Sequence, residues 1–154
     1  MFGSEHPPSD DEGSARKYDP VRVVHHTVEA INPTPGMDRK AAISKETVGA
    51  QRLWFGRVTC PPGYASAPHH HGEAETAGHM LSGDRCRIYF GENFEEYVDV
   101  RPGDYLMVPP WTPHIEVNMS DTEEGEFVTA RSPDNIVTNL DVQANVDMDA
   151  PEVF

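Results

Sequence analysis

Hydrophobic and polar positions alternate with a period of two along much of the chain. Residues 51–60 show the pattern well: Leu53 and Phe55 fall on one face, Trp54, Val58 and Cys60 on the other, and Pro61-Pro62-Gly63 ends the run. The same alternation predicts strands over residues 76–81, 85–90, 95–100, 105–108, 114–118, 126–131 and 135–140. Turn-forming residues separate them, among them Ser82-Gly83-Asp84, Gly91-Glu92-Asn93, Arg101-Pro102-Gly103-Asp104 and Ser132-Pro133-Asp134. A β-branched segment, residues 21–28, opens the series and leads into the turn-rich Asn32-Pro33-Thr34-Pro35-Gly36. Strands of about five residues at roughly ten-residue spacing predict an antiparallel sandwich or barrel.

Composition supports an all-β fold. With 14 prolines and 12 glycines among 154 residues, long helices would be interrupted too often to form a bundle. The length fits one domain. Residues 1–20 contain almost nothing to bury and are expected to form a disordered acidic tail, residues 21–140 the folded domain, and residues 141–154 an acidic C-terminal tail or edge extension. The net charge of −14, from 26 acids and 12 bases, argues against nucleic acid and anionic membranes as partners. No apolar run reaches the length of a membrane span, and the first residues lack the basic start and apolar stretch of a secretion signal, so a cytoplasmic location is expected. Cys60 and Cys86 are expected to be two free thiols in the core.

The densest chemistry lies in Pro68-His69-His70-His71-Gly72-Glu73-Ala74-Glu75. In an extended chain His69 and His71 project to one face and His70 to the other. Two imidazoles one strand period apart can bind a single metal ion. A third histidine, His114, follows the proline-stiffened turn Pro109-Pro110-Trp111-Thr112-Pro113.

Two stretches of this sequence resemble the paired motifs of the cupin superfamily. The first runs from Gly63 through five residues to His69-x-His71, Glu75 and Gly83; the second from Gly103 through five residues to Pro109, His114 and Asn118. The resemblance spans roughly residues 51–131, and the stretch His69–Ala77 with Leu81-Ser82-Gly83 is similar to short single-domain cupins of undefined activity. It implies a double-stranded β-helix, or jelly roll, that holds a divalent metal on His69, His71, Glu75 and His114. One departure stands out: the glutamate of the common pattern sits seven positions before the closing glycine, where this chain has Thr76. A slip of one residue turns a strand side chain to the opposite face, so Glu75 would reach the metal only through a bulge or bend. Trp111 replaces the usual glycine of the second motif.

An open site of this kind implies a divalent transition metal, iron(II) foremost, with manganese, nickel, cobalt or zinc as alternatives. The favoured activity is a dioxygenase-like oxidation of a small enolisable or phenolic substrate, Glu75 or Glu116 taking its proton. Alternatives are redox-neutral Lewis-acid chemistry, such as isomerisation or decarboxylation, and non-enzymatic binding of a small molecule. Phe55, Met80, Tyr89 and Trp111, with Phe90, Tyr105 and Met107, are the candidates to line an apolar substrate pocket. A homodimer is expected, with residues 21–28 as the segment that pairs across it.

Overall fold

The computed structural model describes residues 17–31 and 34–154. Most of the tail expected over residues 1–20 lies outside the described residues. Eleven strands are formed among those described: β1 (Val28–Glu29), β2 (Asp38–Ile43), β3 (Trp54–Cys60), β4 (His69–His70), β5 (Glu75–Ser82), β6 (Cys86–Phe90), β7 (Glu96–Val100), β8 (Tyr105–Val108), β9 (His114–Asn118), β10 (Gly125–Ser132) and β11 (Thr138–Asn139). They build two antiparallel sheets. The first has the order β1-β2-β3-β10-β5-β8 and the second β11-β4-β9-β6-β7. Their inner faces enclose a jelly-roll barrel, whose apolar half is packed by Met37, Val58, Cys60, Met80, Cys86, Ile88, Val100 and Phe127. No helix of the described residues is long and apolar enough to cross a membrane.

Alternation decides which side chains enter the barrel. Along β3, Trp54, Gly56, Val58 and Cys60 are buried while Phe55 and Arg57 face out. Gly56 is required there because a Cβ would stand 2.2 Å from the Lys40 carbonyl oxygen of β2. Two elements had no forecast. Strand β2 carries three charges in six residues, and helix α1 (Lys45–Val48) is one turn long, fixed by a Ser44 and Thr47 capping box and by Gly49 in the left-handed region at φ 69°.

The N-terminal β segment is shorter than its composition predicts. Only Val28 and Glu29 pair, with β2, whereas Val21 and Val23 are largely exposed. The C-terminal segment is laid against the outer face of the second sheet. There Ala144 and Val146 cover Tyr89, Phe94, Ile115 and Val117, and the Asp147 and Pro151 carbonyls accept from the hydroxyls of Tyr89 and Tyr97 at 2.8 and 2.7 Å. Under the strap, Arg87 donates to both carboxylate oxygens of Asp99, at 2.7 and 2.9 Å, and to the Ala150 and Pro151 carbonyls. Cys60 and Cys86 are free and buried, and burial pushes their thiols up to about 11 and about 12, so neither is poised as a nucleophile.

Candidate metal centre

Strand pairing assembles the site. Strands β4 and β9 are antiparallel neighbours with His69 directly opposite His114. His71 follows β4 and enters a turn closed by the Ala74 N–H on the His71 carbonyl at 2.9 Å, with Gly72 at φ 54°. Trp111, itself at φ 62°, donates its N–H to the Gly72 carbonyl at 2.8 Å and ties the turn before β9 to the turn after β4. All three imidazoles are at most 1% exposed, and one ring nitrogen from each lies within 4.8 Å of the others. His70 points away, as strand geometry requires; its Nδ1 accepts from the Gly72 N–H and its ring lies 5.5 Å from that of Trp111.

Backbone carbonyls set the tautomers. The Nδ1 atoms of His69, His71 and His114 face the carbonyls of Ala67, Ile136 and Thr112 at 2.8, 2.8 and 2.9 Å. A carbonyl only accepts, so each Nδ1 carries the proton and each Nε2 presents a lone pair. The Nε2 atoms of His69 and His114 are buried without a hydrogen-bond partner. Such orphaned acceptors are costly unless something else binds them. Burial, reinforced by neighbouring cationic groups, holds all three imidazoles below their ordinary range, His69 at about 3. Three neutral, converging Nε2 donors fit a divalent transition metal. The three histidines could therefore bind a metal.

Carboxylates are arranged differently from the pattern the sequence implied. Glu75 is exposed: β5 pairs in regular register at this end, Glu75 opposite Ser132 and Thr76 opposite Arg131, and its only shift lies near the other end of β10, between Glu126 and Phe127. No bulge re-aims Glu75, and Thr76 occupies the inward position. The acid inside is Glu116, two residues beyond His114 on the same face of β9, with its Oε1 3.9 Å from His114 Nε2 and its Oε2 buried without a partner. Burial pushes the Glu116 carboxyl up, while interactions with His114, His69, Arg39 and Arg131 act against burial and bring it below its ordinary value.

Two arginines enter the barrel, and sequence reasoning passed over both. Arg131 of β10 is 2% exposed; it donates from Nε to Thr76 Oγ1 at 3.1 Å and from Nη1 to Asn135 Oδ1 at 2.7 Å, and its Nη2 lies 3.3 Å from His71 Nε2. Arg39 of β2, also 2% exposed, donates to Thr34 Oγ1. The missed signal was parity. Arg131 stands in step with Phe127 and Thr129, which fill the barrel, and so had to point inward.

An apolar cavity of about 360 Å³ adjoins the triad. Ile88, Phe90, Val98, Leu106, Met107 and Val108 form its walls, and Thr112 and His114 are its polar boundary. None of Phe55, Met80, Tyr89 and Trp111 lines it. Phe55 projects from the outer face of β3, Met80 is in the apolar half of the core, Tyr89 lies beneath the C-terminal strap, and Trp111 is 64% exposed on its turn. Phe90 and Met107, from the wider set of candidates, do line it, while Tyr105 is 79% exposed on β8.

Residues 56–130 match the cupin domain family. The chain contains a cupin domain. Solved structures agree on the fold. The polyketide cyclase RemF of Streptomyces resistomycificus superposes with a TM-score of 0.64 at 21% identity, over 80% of this chain and 87% of its own. An uncharacterized protein with a double-stranded β-helix domain from Klebsiella pneumoniae gives 0.57 at 18%, over 73% and 91%. Oxalate decarboxylase OxdC of Bacillus subtilis gives 0.59 at 19%, over 71% of this cupin and 29% of its own chain. No curated protein matches the sequence. At these identities the structural likeness establishes the cupin fold.

Proposed function

We infer that this cupin is a metal-dependent enzyme that moves a proton on a small enolisable or phenolic substrate, with Glu116 as the proton acceptor. The observation that carries the reading is the double position of His114, at once a member of the triad and part of the wall of the apolar cavity. A substrate whose apolar arm fills that cavity brings its oxygen-bearing end to the three Nε2 atoms. A divalent transition metal held by His69, His71 and His114 would supply Lewis acidity toward that oxygen and so acidify the adjacent O–H or C–H. Glu116 is ionised, shielded from bulk water and 3.9 Å from His114 Nε2, which suits it to receive the proton. The cavity volume, about 360 Å³, accommodates a single aromatic ring with a short side chain.

The second reading is oxygenation of the same substrate class by an iron(II) centre. It is favoured by the donor set itself, three neutral imidazoles with Glu75 turned outward, which would leave positions open for substrate and oxygen on a bound metal. Hydrogen–deuterium exchange on a panel of aryl ketones and β-keto acids, under nitrogen and in air, separates the two. Proton transfer predicts metal-dependent exchange under nitrogen, lowered about 100-fold or more by Glu116→Gln. Turnover only in air, with oxygen consumed, would establish the second reading instead. Elemental analysis belongs beside it: near-stoichiometric metal in the parent and little in His71→Ala is expected, and equal metal in both would overturn the site.

A further inference from the structure

The three converging imidazoles are not equivalent. Nε2 of His69 and Nε2 of His114 are buried without a partner, whereas Nε2 of His71 has one: Nη2 of Arg131 lies 3.3 Å from it. With the Nδ1 proton of His71 on the Ile136 carbonyl, Nε2 can only accept, so the guanidinium N–H donates to it. Arg131 thus caps the one lone pair that His71 could offer a metal ion.

This contact is fixed from several sides. Asn135 Oδ1 accepts from Arg131 Nη1 at 2.7 Å, and the carbonyl of the next residue, Ile136, holds the His71 ring at 2.8 Å. One two-residue segment therefore sets guanidinium and imidazole against each other. Thr76 Oγ1 accepts from Nε at 3.1 Å, and these two bonds leave Nη2 directed at His71. His71, Thr76, Arg131 and Asn135 are each at most 4% exposed, so bulk water does not compete for the bonds among them. Charge also holds Arg131 inside. Its guanidinium and the Glu116 carboxylate interact electrostatically and line one cavity of about 20 Å³, room for a single water. An N–H released from His71 therefore has a counter-charge within the barrel and space to turn toward it.

We propose that Arg131 is a positioning residue that competes with the metal for His71: in the metal-free protein it holds the imidazole in line with His69 and His114, and metal uptake requires its N–H to leave Nε2. The inference rests on the reading of the triad as a metal centre and adds how that centre is loaded. One lone pair cannot serve a guanidinium and a metal together. The bond to be broken weakens metal binding, and a cation beside the incoming ion weakens it further.

Cobalt(II) is the probe, its affinity read from the visible bands in competition with a chelator, with no turnover involved. Arg131→Met is expected to bind cobalt about 10-fold more tightly than the parent, or more, because a charge-assisted hydrogen bond no longer has to be broken. Thr76→Val keeps the charge and loosens only the aim, and should tighten binding by a smaller factor, about 2- to 5-fold. A role confined to packing predicts the reverse, a weaker site in both. Equal or weaker binding in the folded variants would overturn the assignment and leave the metal centre standing. So would tightening in Arg131→Met with none in Thr76→Val, which would reduce Arg131 to a charge near the ion. If Arg131→Met does not fold, Thr76→Val and Asn135→Ala carry the test on the same terms. Failure of the parent to bind cobalt would overturn the metal centre and the assignment with it.

Discussion

Each imidazole of the triad is held neutral by its surroundings, and this has a measurable consequence for stability. In the unfolded chain a histidine takes up its proton near pH 6.5; in the folded, metal-free protein burial lowers that value, to about 3 for His69. Below pH 6.5 the unfolded state therefore binds protons that the folded state refuses, and folding weakens as pH falls. The stabilising contribution is whole above pH 6.5 and is lost progressively toward pH 3. By pH 5 His69 alone removes about 2 kcal/mol, from 1.36 kcal/mol per unit over one and a half units. Urea titrations of the metal-free protein from pH 7.5 to 5 should show that decline, and His69→Gln should make it shallower. Glu116 is also depressed, and its contribution is lost only below the ordinary carboxylate value near 4.5, so it adds to the histidine loss only at pH values beneath the titrated range. A stability that is level between pH 7.5 and 5 would contradict the neutral state assigned to the buried imidazoles.

Strands were legible wherever one face is buried and the other wet. Strands β8 and β9 fall on the expected residues, and β3, β5, β6, β7 and β10 differ from the expected ranges only at their ends. The elements that escaped notice have physical reasons for doing so. Strand β2 turns Arg39 inward, against the rule that an inward position is apolar, because the open half of the barrel is polar. The triad was legible for two reasons: strand parity puts His69 and His71 on one face, and the resemblance to the second cupin motif supplied His114, which the structure places directly opposite His69. Glu75 was assigned by resemblance, and parity, which spoke against it, proved the better guide. The C-terminal strap has no periodicity to read, since it meets the sheet through main-chain carbonyls; the information lies in Tyr89, Tyr97 and Arg87, whose polar ends need those partners. Beneath it the Arg87 and Asp99 pair is 0% and 1% exposed in its side chains. Burial alone would raise the Asp99 carboxyl, but hydrogen bonds from Arg87 and the Val153 N–H lower it and keep it charged. Asp99→Ala strands a buried guanidinium and should destabilise the fold by about 3–5 kcal/mol, read as a fall in urea midpoint; a change under about 1 kcal/mol would show that the strap does not seal this pair from water.

At the scale of the whole molecule, charge and chemistry occupy different places, though not in the way the bare counts imply. Residues 141–154 hold four acids and no base, yet Glu152 bonds Arg101 at 2.6 and 2.8 Å and so belongs to the strap's attachment. We keep as a proposal that residues 21–28 pair with a second copy; a monomer in light scattering at micromolar concentration would count against it. A metal held by the triad would bind only the folded arrangement, because β4 and β9 must be paired before His69 and His114 face one another. Metal loading is then linked to folding by mass action: free metal at 100 times its dissociation constant adds about 2.7 kcal/mol of stability. For a chain of this size each kcal/mol shifts the melting temperature by roughly 2–4 °C, so the loaded protein should melt about 5–11 °C above the chelator-treated one. Replacing any one of His69, His71 and His114 with alanine should abolish most of that increment, while His70→Ala, whose ring lies outside the triad against Trp111, should retain it. The control discriminates because all four residues are histidines within two paired strands or directly beside them. Loss of the increment in His70→Ala as well would mean that metal stabilises the protein from its surface, and the three converging Nε2 atoms would need another explanation.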